Sequence, residues 1–274
     1  MSLFNKKLST FFSLKQVIKV IAGLDNTNIQ SIVQLAKLAD LAGCTYIDIV
    51  ANPKIVSIVK ELIDIPVCVS SIDPIELYNC VQAGADIVEL GNFDIFYKHN
   101  INFNSEAVFN LAMETRQLII DRDICVTIPH NLNLVKQMML AKKLEIEGIN
   151  ILQTEGFTSK VTLPKDTLDK FLISTQGAAS TLSSTYAISN LVNIPVVTSS
   201  NLNSLSSPMA LYYGASGIGI GSFLRSQKNV SEMLIYAQEI VSSFTRQRSA
   251  GISHLDVYSN HALYQYDYSN SMMQ

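Results

Sequence analysis

The chain has 274 residues and a formal net charge of −3; 48% of its residues are hydrophobic and 16% are charged. That balance provides a large core and argues against a general nucleic-acid or membrane-surface binder, which would carry a basic surplus. No apolar run reaches the roughly 18 residues of a membrane span.

The first residues, MSLFNKKLSTFFSLKQ, lack a secretory core and lack arginine, so they read as a poor signal or transit peptide. Residues 1–15 are amphipathic and fit a helix that plugs a barrel floor. Strand and helix signals then alternate. Strands are expected near 17–22, 46–50, 67–70, 87–90, 124–128, 149–153, 196–199 and 217–220. Helices are expected near 27–42, 53–63, 74–83, 105–120, 131–146, 179–192, 205–213 and 229–246. Eight β-α units predict a single (β/α)8 TIM barrel over residues 1–247, an α/β fold that typically takes about 250 residues. A doubly wound open sheet is the alternative. Residues 248–274 lose periodicity and read as an irregular, partly disordered C-terminal tail.

An internal repeat supports closure. IPVCVSS at 65–71 returns as IPVVTSS at 194–200, and GADIVELGNF at 84–93 returns as GASGIGIGSF at 214–223. Strands 3 and 4 thus echo strands 7 and 8, the pattern of two fused half-barrels. Long loops are expected over 91–104, which is rich in aromatic residues, and over 154–178, with a short helix near 166–172. Loops of that length above a barrel mouth act as lids or as static plugs.

Gly43, Gly84, Gly148 and Gly214 each fall where a helix should end ahead of an even-numbered strand. Five residues on from each stand Asp48, Glu89, Gln153 and Gly219. Side chains alternate along a strand, and the outer face must be apolar beneath the helices. The four positions are therefore expected to form one interior layer, with Glu155 and Gly221 above it at the mouth and Lys19 also turned inward. A lone buried charge is costly, so Lys19 should meet a carboxylate. Lys19, Asp48, Glu89 and Glu155 suit proton transfer beside a carbonyl, and a desolvated Lys19 also suits a Schiff base. The structural alternative is a polar plug, with Lys19 bridging Asp48 and Glu89 to fix register. His130 follows Pro129 in a loop and reads as a helix-cap neighbour ahead of a base.

Small residues end strands 7 and 8: Ser199–Ser200–Asn201 after one and Gly221–Ser222 after the other. Bare backbone N–H groups there could meet a phosphate. Ser199, Ser200, Asn201, Gly219, Gly221 and Ser222, with Gln153 and Thr127 at neighbouring strand ends, form the candidate ligand set. The bland alternative is that Gly219 and Gly221 only allow close packing. Cys44, Cys68, Cys80 and Cys125 form no C-x-x-C pair and read as reduced thiols. The four histidines show no metal spacing, so no metal is expected. A surplus of Ile and Asn without Trp is the bias of an AT-rich gene.

IKVIAGL (18–24), TYIDIVANP (45–53), PVCVSSIDP (66–74), AGADIVELGNFDIFY (83–97), TIPHNL (127–132), ILQTEG (151–156) and PVVTSSNL (195–202) resemble an uncharacterised family of algal plastids and cyanobacteria. It is catalogued as hypothetical chloroplast open reading frame 23. The resemblance covers about residues 2–240 and leaves the tail outside. It implies an aldolase-type barrel in the chloroplast stroma, made in place, and carries no established reaction. A wider resemblance is to phosphate-binding barrels, which often carry S-G-G after strand 7, where this chain has Ser199–Ser200–Asn201. Together these readings favour an isomerase, epimerase or lyase acting on a small phosphorylated carbonyl compound. The alternative is a non-catalytic regulatory or structural barrel that binds a phosphometabolite or a flavin phosphate. No other cofactor is expected, and a homo-oligomer is compatible with either reading.

Overall fold

The computed structural model describes residues 3–91, 93–97, 99–156 and 170–249. Eight parallel strands close into a barrel in sequence order: β1 Val17–Ile21, β2 Tyr46–Val50, β3 Val67–Ser71, β4 Ile87–Leu90, β5 Asp123–Ile128, β6 Ile151–Thr154, β7 Val196–Thr198 and β8 Gly217–Ile220. Pairing of β1 with β8, from Val17 opposite Gly217 to Val20 opposite Ile220, closes the ring and excludes the open sheet. The helices are α1 Lys6–Ser13, α2 Ile29–Leu41, α3 Pro53–Lys60, α4 Pro74–Gln82, α5 Asp94–Tyr97, α6 Ser105–Leu118, α7 Leu134–Ile146, α8 Lys170–Ser189, α9 Ser207–Tyr212, α10 Ser222–Arg225 and α11 Val230–Ser249. The tail beyond 249 and the short helix expected near 166–172 lie wholly or largely outside the described residues.

Local chemistry explains the element boundaries. Several of the asparagines are helix caps. Asn5, Asn28, Asn52, Asn104 and Asn133 each accept a bond from a backbone N–H in the first turn of the following helix, and Asp73 does the same for α4. The glycines ahead of the even strands end their helices with φ between +79° and +105°.

One helix begins earlier than its pattern suggests. The sequence places it at 179–192; α8 runs from Lys170 to Ser189, so the loop expected over 154–178 is shorter. Hydroxyl groups help to seat α8 on the sheet. Thr154 of β6 shares hydrogen bonds with Thr181 and Thr185 at 3.0 and 2.8 Å, and Thr185 reaches Thr198 of β7 at 2.7 Å. A helix held partly by buried hydroxyls shows a weak apolar stripe, and periodicity undercounts it.

The interior is layered. At the floor, Leu3, Leu8 and Phe12 pack against Val17, Tyr46, Cys68, Ile87, Cys125, Ile151 and Val197, so the amphipathic N-terminal helix is the expected plug. Between strands and outer helices lies a larger apolar shell that includes Ile18, Val20, Ile47, Ile49, Val88, Leu90, Leu152, Ile218 and Ile220. The four cysteines are buried and unbridged.

The plug is also clamped. The buried Asp123, at the start of β5, accepts bonds from the N–H groups of Phe4 at 2.9 Å and Asn5 at 3.0 Å. Hydrogen bonds to a charged group are worth more than neutral ones. Replacing Asp123 with alanine is therefore expected to lower stability by about 1–3 kcal/mol. It should also speed amide exchange in α1 more than in the strands. Urea denaturation with hydrogen-exchange mass spectrometry checks this, and unchanged α1 protection would show that apolar packing alone seats the plug.

Candidate functional site

Strand parity delivers the charged layer. Lys19 Nζ lies 3.0 Å from Asp48 Oδ2, pairs with Glu89 Oε2, and donates to Gln153 Oε1 at 2.9 Å. Gln153 Nε2 donates to Glu89 Oε1 at 2.7 Å, and Thr127 Oγ1 donates to that same oxygen at 3.0 Å. Ser70 Oγ donates to Asp48 Oδ1 at 2.5 Å. Lys19 and Glu89 are completely buried.

Two carboxylates share one ammonium here, and this sets the protonation. Burial is the largest influence on Lys19 and disfavours its charge, but Asp48 and then Glu89 outweigh it and hold the ammonium well above its ordinary value. Burial raises Glu89; Lys19 pulls it back, Asp48 pushes it up, and the net is a carboxyl that keeps its proton more tightly than usual. Lys19 is thus a protonated, three-way hydrogen-bonded ammonium with no lone pair for nucleophilic attack in this state.

Above this layer, over the ends of β7 and β8, lies a cavity of about 100 Å3. Ser199, Ser200, Asn201, Leu202, Gly219, Gly221, Ser222 and Gln153 line it, together with Ile21, Glu155 and Arg225. The structure therefore brings together every ligand candidate except Thr127, whose hydroxyl is held by Glu89 and Gln153 in the layer below. Of the four candidates for proton chemistry, Glu155 reaches the cavity. Lys19, Asp48 and Glu89 lie beneath it, with Gln153 as the link.

The turn after β7 takes the shape that glycines would allow. Ser200 has φ +74° and Asn201 has φ +56°, both left-handed. Left-handed backbone costs about 1–2 kcal/mol in a non-glycine residue. Strain of this kind concentrates at ligand sites. At Gly219 an added Cβ would sit 2.9 Å from both Ile21 Cδ1 and Ser199 Cβ, so the bare backbone is required there.

The sequence reading missed Arg225. It ends α10, donates to the carbonyl of Ile21 and puts a cation on the cavity wall. Burial lowers its pKa and Asp25 opposes that, yet a guanidinium stays charged at neutral pH. Tyr97 and His130 were also undervalued: both bond to Glu155, through Tyr97 Oη at 2.6 Å and His130 Nδ1 at 3.0 Å.

The repeat-related place above β3 and β4 is filled instead. A Cβ at Gly91 would lie 2.2 Å from Thr127 Oγ1 and 3.1 Å from Glu89 Oε1, and Ser71 Oγ is bonded to Glu76 at 2.6 Å.

The sequence model of a family described as "Protein of unknown function (DUF561)" matches residues 3–250. The chain belongs to this family. DUF561 relatives include "Uncharacterized protein ycf23" of Antithamnion sp., 44% identical over 252 residues that cover 90% of this chain and 91% of that one. The ycf23 protein of Cyanophora paradoxa is 40% identical over 237 residues, covering 86% and 96%. The resemblance read from ILQTEG and its companions is thereby shown. Among solved structures, this DUF561 chain is similar to 3-hexulose-6-phosphate synthase from Salmonella typhimurium, with a TM-score of 0.61 and 12% identity over 84% of this chain and 99% of that one. It is also similar to thiamine phosphate pyrophosphorylase from Pyrococcus furiosus, with a TM-score of 0.57 and 16% identity over 85% and 96%. These likenesses are of fold alone: a closed eight-stranded α/β barrel.

Proposed function

We propose that the barrel binds a small phosphorylated carbonyl compound above β7 and β8 and moves a proton beside its carbonyl, as an isomerase, epimerase or lyase of this class does. The observation that carries this reading is the composition of one cavity: a left-handed turn, bare glycine backbone and the Arg225 cation on its walls, with the Glu155 carboxylate lining it too. Phosphate suits the first three groups, since backbone N–H donors and a guanidinium both match its oxygens. Glu155 suits the proton. In the step inferred, the C–H proton beside the carbonyl passes to Glu155, the C–H electron pair enters an enolate, and the negative charge moves to the carbonyl oxygen. The proton then returns to the same carbon or its neighbour. Lys19 and Glu89, beneath Gln153, supply a charged floor.

The neighbours named for a hexulose phosphate and a thiamine phosphate support a phosphorylated ligand. The ycf23 names and algal sources of the relatives support a plastid setting. Among the described residues no helix is long and apolar enough to cross a membrane.

Thermal-shift measurements against inorganic phosphate and a panel of phosphorylated carbonyl compounds test the binding. Loss of the proton signal beside the carbonyl in D2O, followed by NMR, tests the chemistry. A ligand at a hundred times its Kd adds about 2.7 kcal/mol. Gly221→Val should remove that stabilisation and leave the far-ultraviolet circular dichroism unchanged. Its Cβ would sit 3.1 Å from Arg225 Nη1 and 3.4 Å from Ile21 Cβ, filling the ligand's space. Equal stabilisation of both proteins would place the ligand elsewhere. Binding without exchange would favour a regulatory barrel that does not turn its ligand over.

A further inference from the structure

Glu155 is held in an asymmetric way. Its Oε1 takes three hydrogen bonds: from Tyr97 Oη at 2.6 Å, from the His130 backbone N–H at 3.0 Å and, at the ring, from His130 Nδ1 at 3.0 Å. Among the described residues no hydrogen bond reaches its Oε2. Glu155 is 4% exposed and lines the cavity. Three donors saturate one carboxylate oxygen and leave the other for whatever enters.

The three residues come from separate places. Glu155 follows β6, His130 follows β5, and Tyr97 ends α5 after β4. The rings of Tyr97 and His130 meet edge to face with centroids 4.4 Å apart, so each fixes the other's plane as well as the carboxylate. Phe93, 6.4 Å from Tyr97 between ring centroids, is itself buried and packs on the buried Phe103 with centroids 4.7 Å apart. A ring nitrogen facing a carboxylate carries the proton, because the bond made at one nitrogen sets the tautomer. His130 therefore carries a hydrogen on Nδ1.

We propose that Tyr97 and His130 are positioning residues that capture Oε1 of Glu155 and fix Oε2 as the proton acceptor of the cavity. This rests on the proton-transfer reading for the role of Oε2, but the capture itself is a matter of geometry and is tested without turnover. Its substrate requirement is narrow: the acidic C–H of the phosphorylated carbonyl compound must come within hydrogen-bond reach of Oε2, because a base placed even slightly off line loses much of its effect.

Two measurements on the full chain decide it. The first is a long-range 15N–1H spectrum of histidine-labelled protein, with the His130 signals assigned by their loss in His130→Leu. The Nδ1–H tautomer is expected. An Nε2–H tautomer would overturn the proposal whatever the protein catalyses. The second is the exchange rate in D2O. Tyr97→Phe and His130→Leu should each lower kcat by roughly tenfold or more, a part of the 10²–10⁴ that a positioned base supplies, with KM unchanged. His130→Asn, whose amide can donate from nearly the same point, should recover most of the loss. Unchanged melting temperatures exclude misfolding. Wild-type kcat in both Tyr97→Phe and His130→Leu would overturn the proposal. If the unaltered protein binds phosphate compounds but exchanges none of them, the proton-transfer reading falls, and the His130 tautomer still decides whether Oε1 is captured.

Discussion

Replacing Lys19 with methionine is expected to lower the stability of the barrel by roughly 3–5 kcal/mol at neutral pH, the scale for removing one partner of a buried ion pair. Methionine matches the length of the lysine stem, so no large cavity opens and the loss is electrostatic. Asp48, Glu89 and Gln153 would be left facing each other without the ammonium they surround. The pH dependence gives the sharper test. Glu89 is raised by burial, and Lys19 is the main influence pulling it down. Without Lys19 its folded-state value rises further. A carboxyl with a higher value folded than unfolded favours the folded state below its unfolded value, and that benefit is lost as pH climbs through the folded value. The variant should therefore regain stability on acidification, and the gap to the unaltered protein should narrow from neutral pH towards about pH 4–5. Lys19 in the unaltered protein follows the same sign, at higher pH. Held above its ordinary value, it contributes fully below that value, and the contribution goes only as pH rises through the folded one. Urea denaturation of both proteins across this range checks the argument. A gap that stays constant from pH 8 to 5 would mean that water, not Lys19, satisfies the acids.

Replacing Glu155 with glutamine should slow proton exchange by about 10²–10⁴-fold, the range for a general base. Glutamine keeps the shape and an oxygen for Tyr97 and His130 to bond, but its amide cannot take the proton. Phosphate-dependent thermal stabilisation should persist, because Arg225 and the turns after β7 and β8 are untouched. The separation of the two effects is the point of the experiment. A rate loss accompanied by equal loss of binding would make Glu155 a ligand-binding residue. An unchanged rate would move the base into the buried layer, where Glu89 keeps its proton more tightly than usual.

Much of this was legible in the sequence because a barrel strand has a period of two. The glycine that ends each helix before an even-numbered strand serves as a ruler, and five residues on from it the side chain points inward. Asp48, Glu89 and Gln153 follow from that rule, and Lys19 meets them as a buried cation must. The turn after β7 was harder to read. Ser200 and Asn201 are not glycines, yet the backbone goes left-handed all the same. Composition reports the cost of a conformation and not whether surrounding contacts meet it. Arg225, Tyr97 and His130 follow no strand period. Each sits on a turn or loop, and its direction depends on neighbours distant in sequence: Ile21 for Arg225, and Glu155 for the other two. Such partners become visible when the barrel is closed.

The clamp on the N-terminal plug has a consequence for the order of assembly. Phe4 and Asn5 precede their carboxylate partner, at the start of β5, by 119 and 118 positions. Closing so long a span before anything else is in place is entropically unfavourable. The clamp on the segment ahead of α1 therefore forms only once β5 is in place. The barrel floor thus joins residues ahead of the first strand to side chains of strands far along the chain. Contacts of this separation slow folding. The ring itself closes only when β8 pairs with β1.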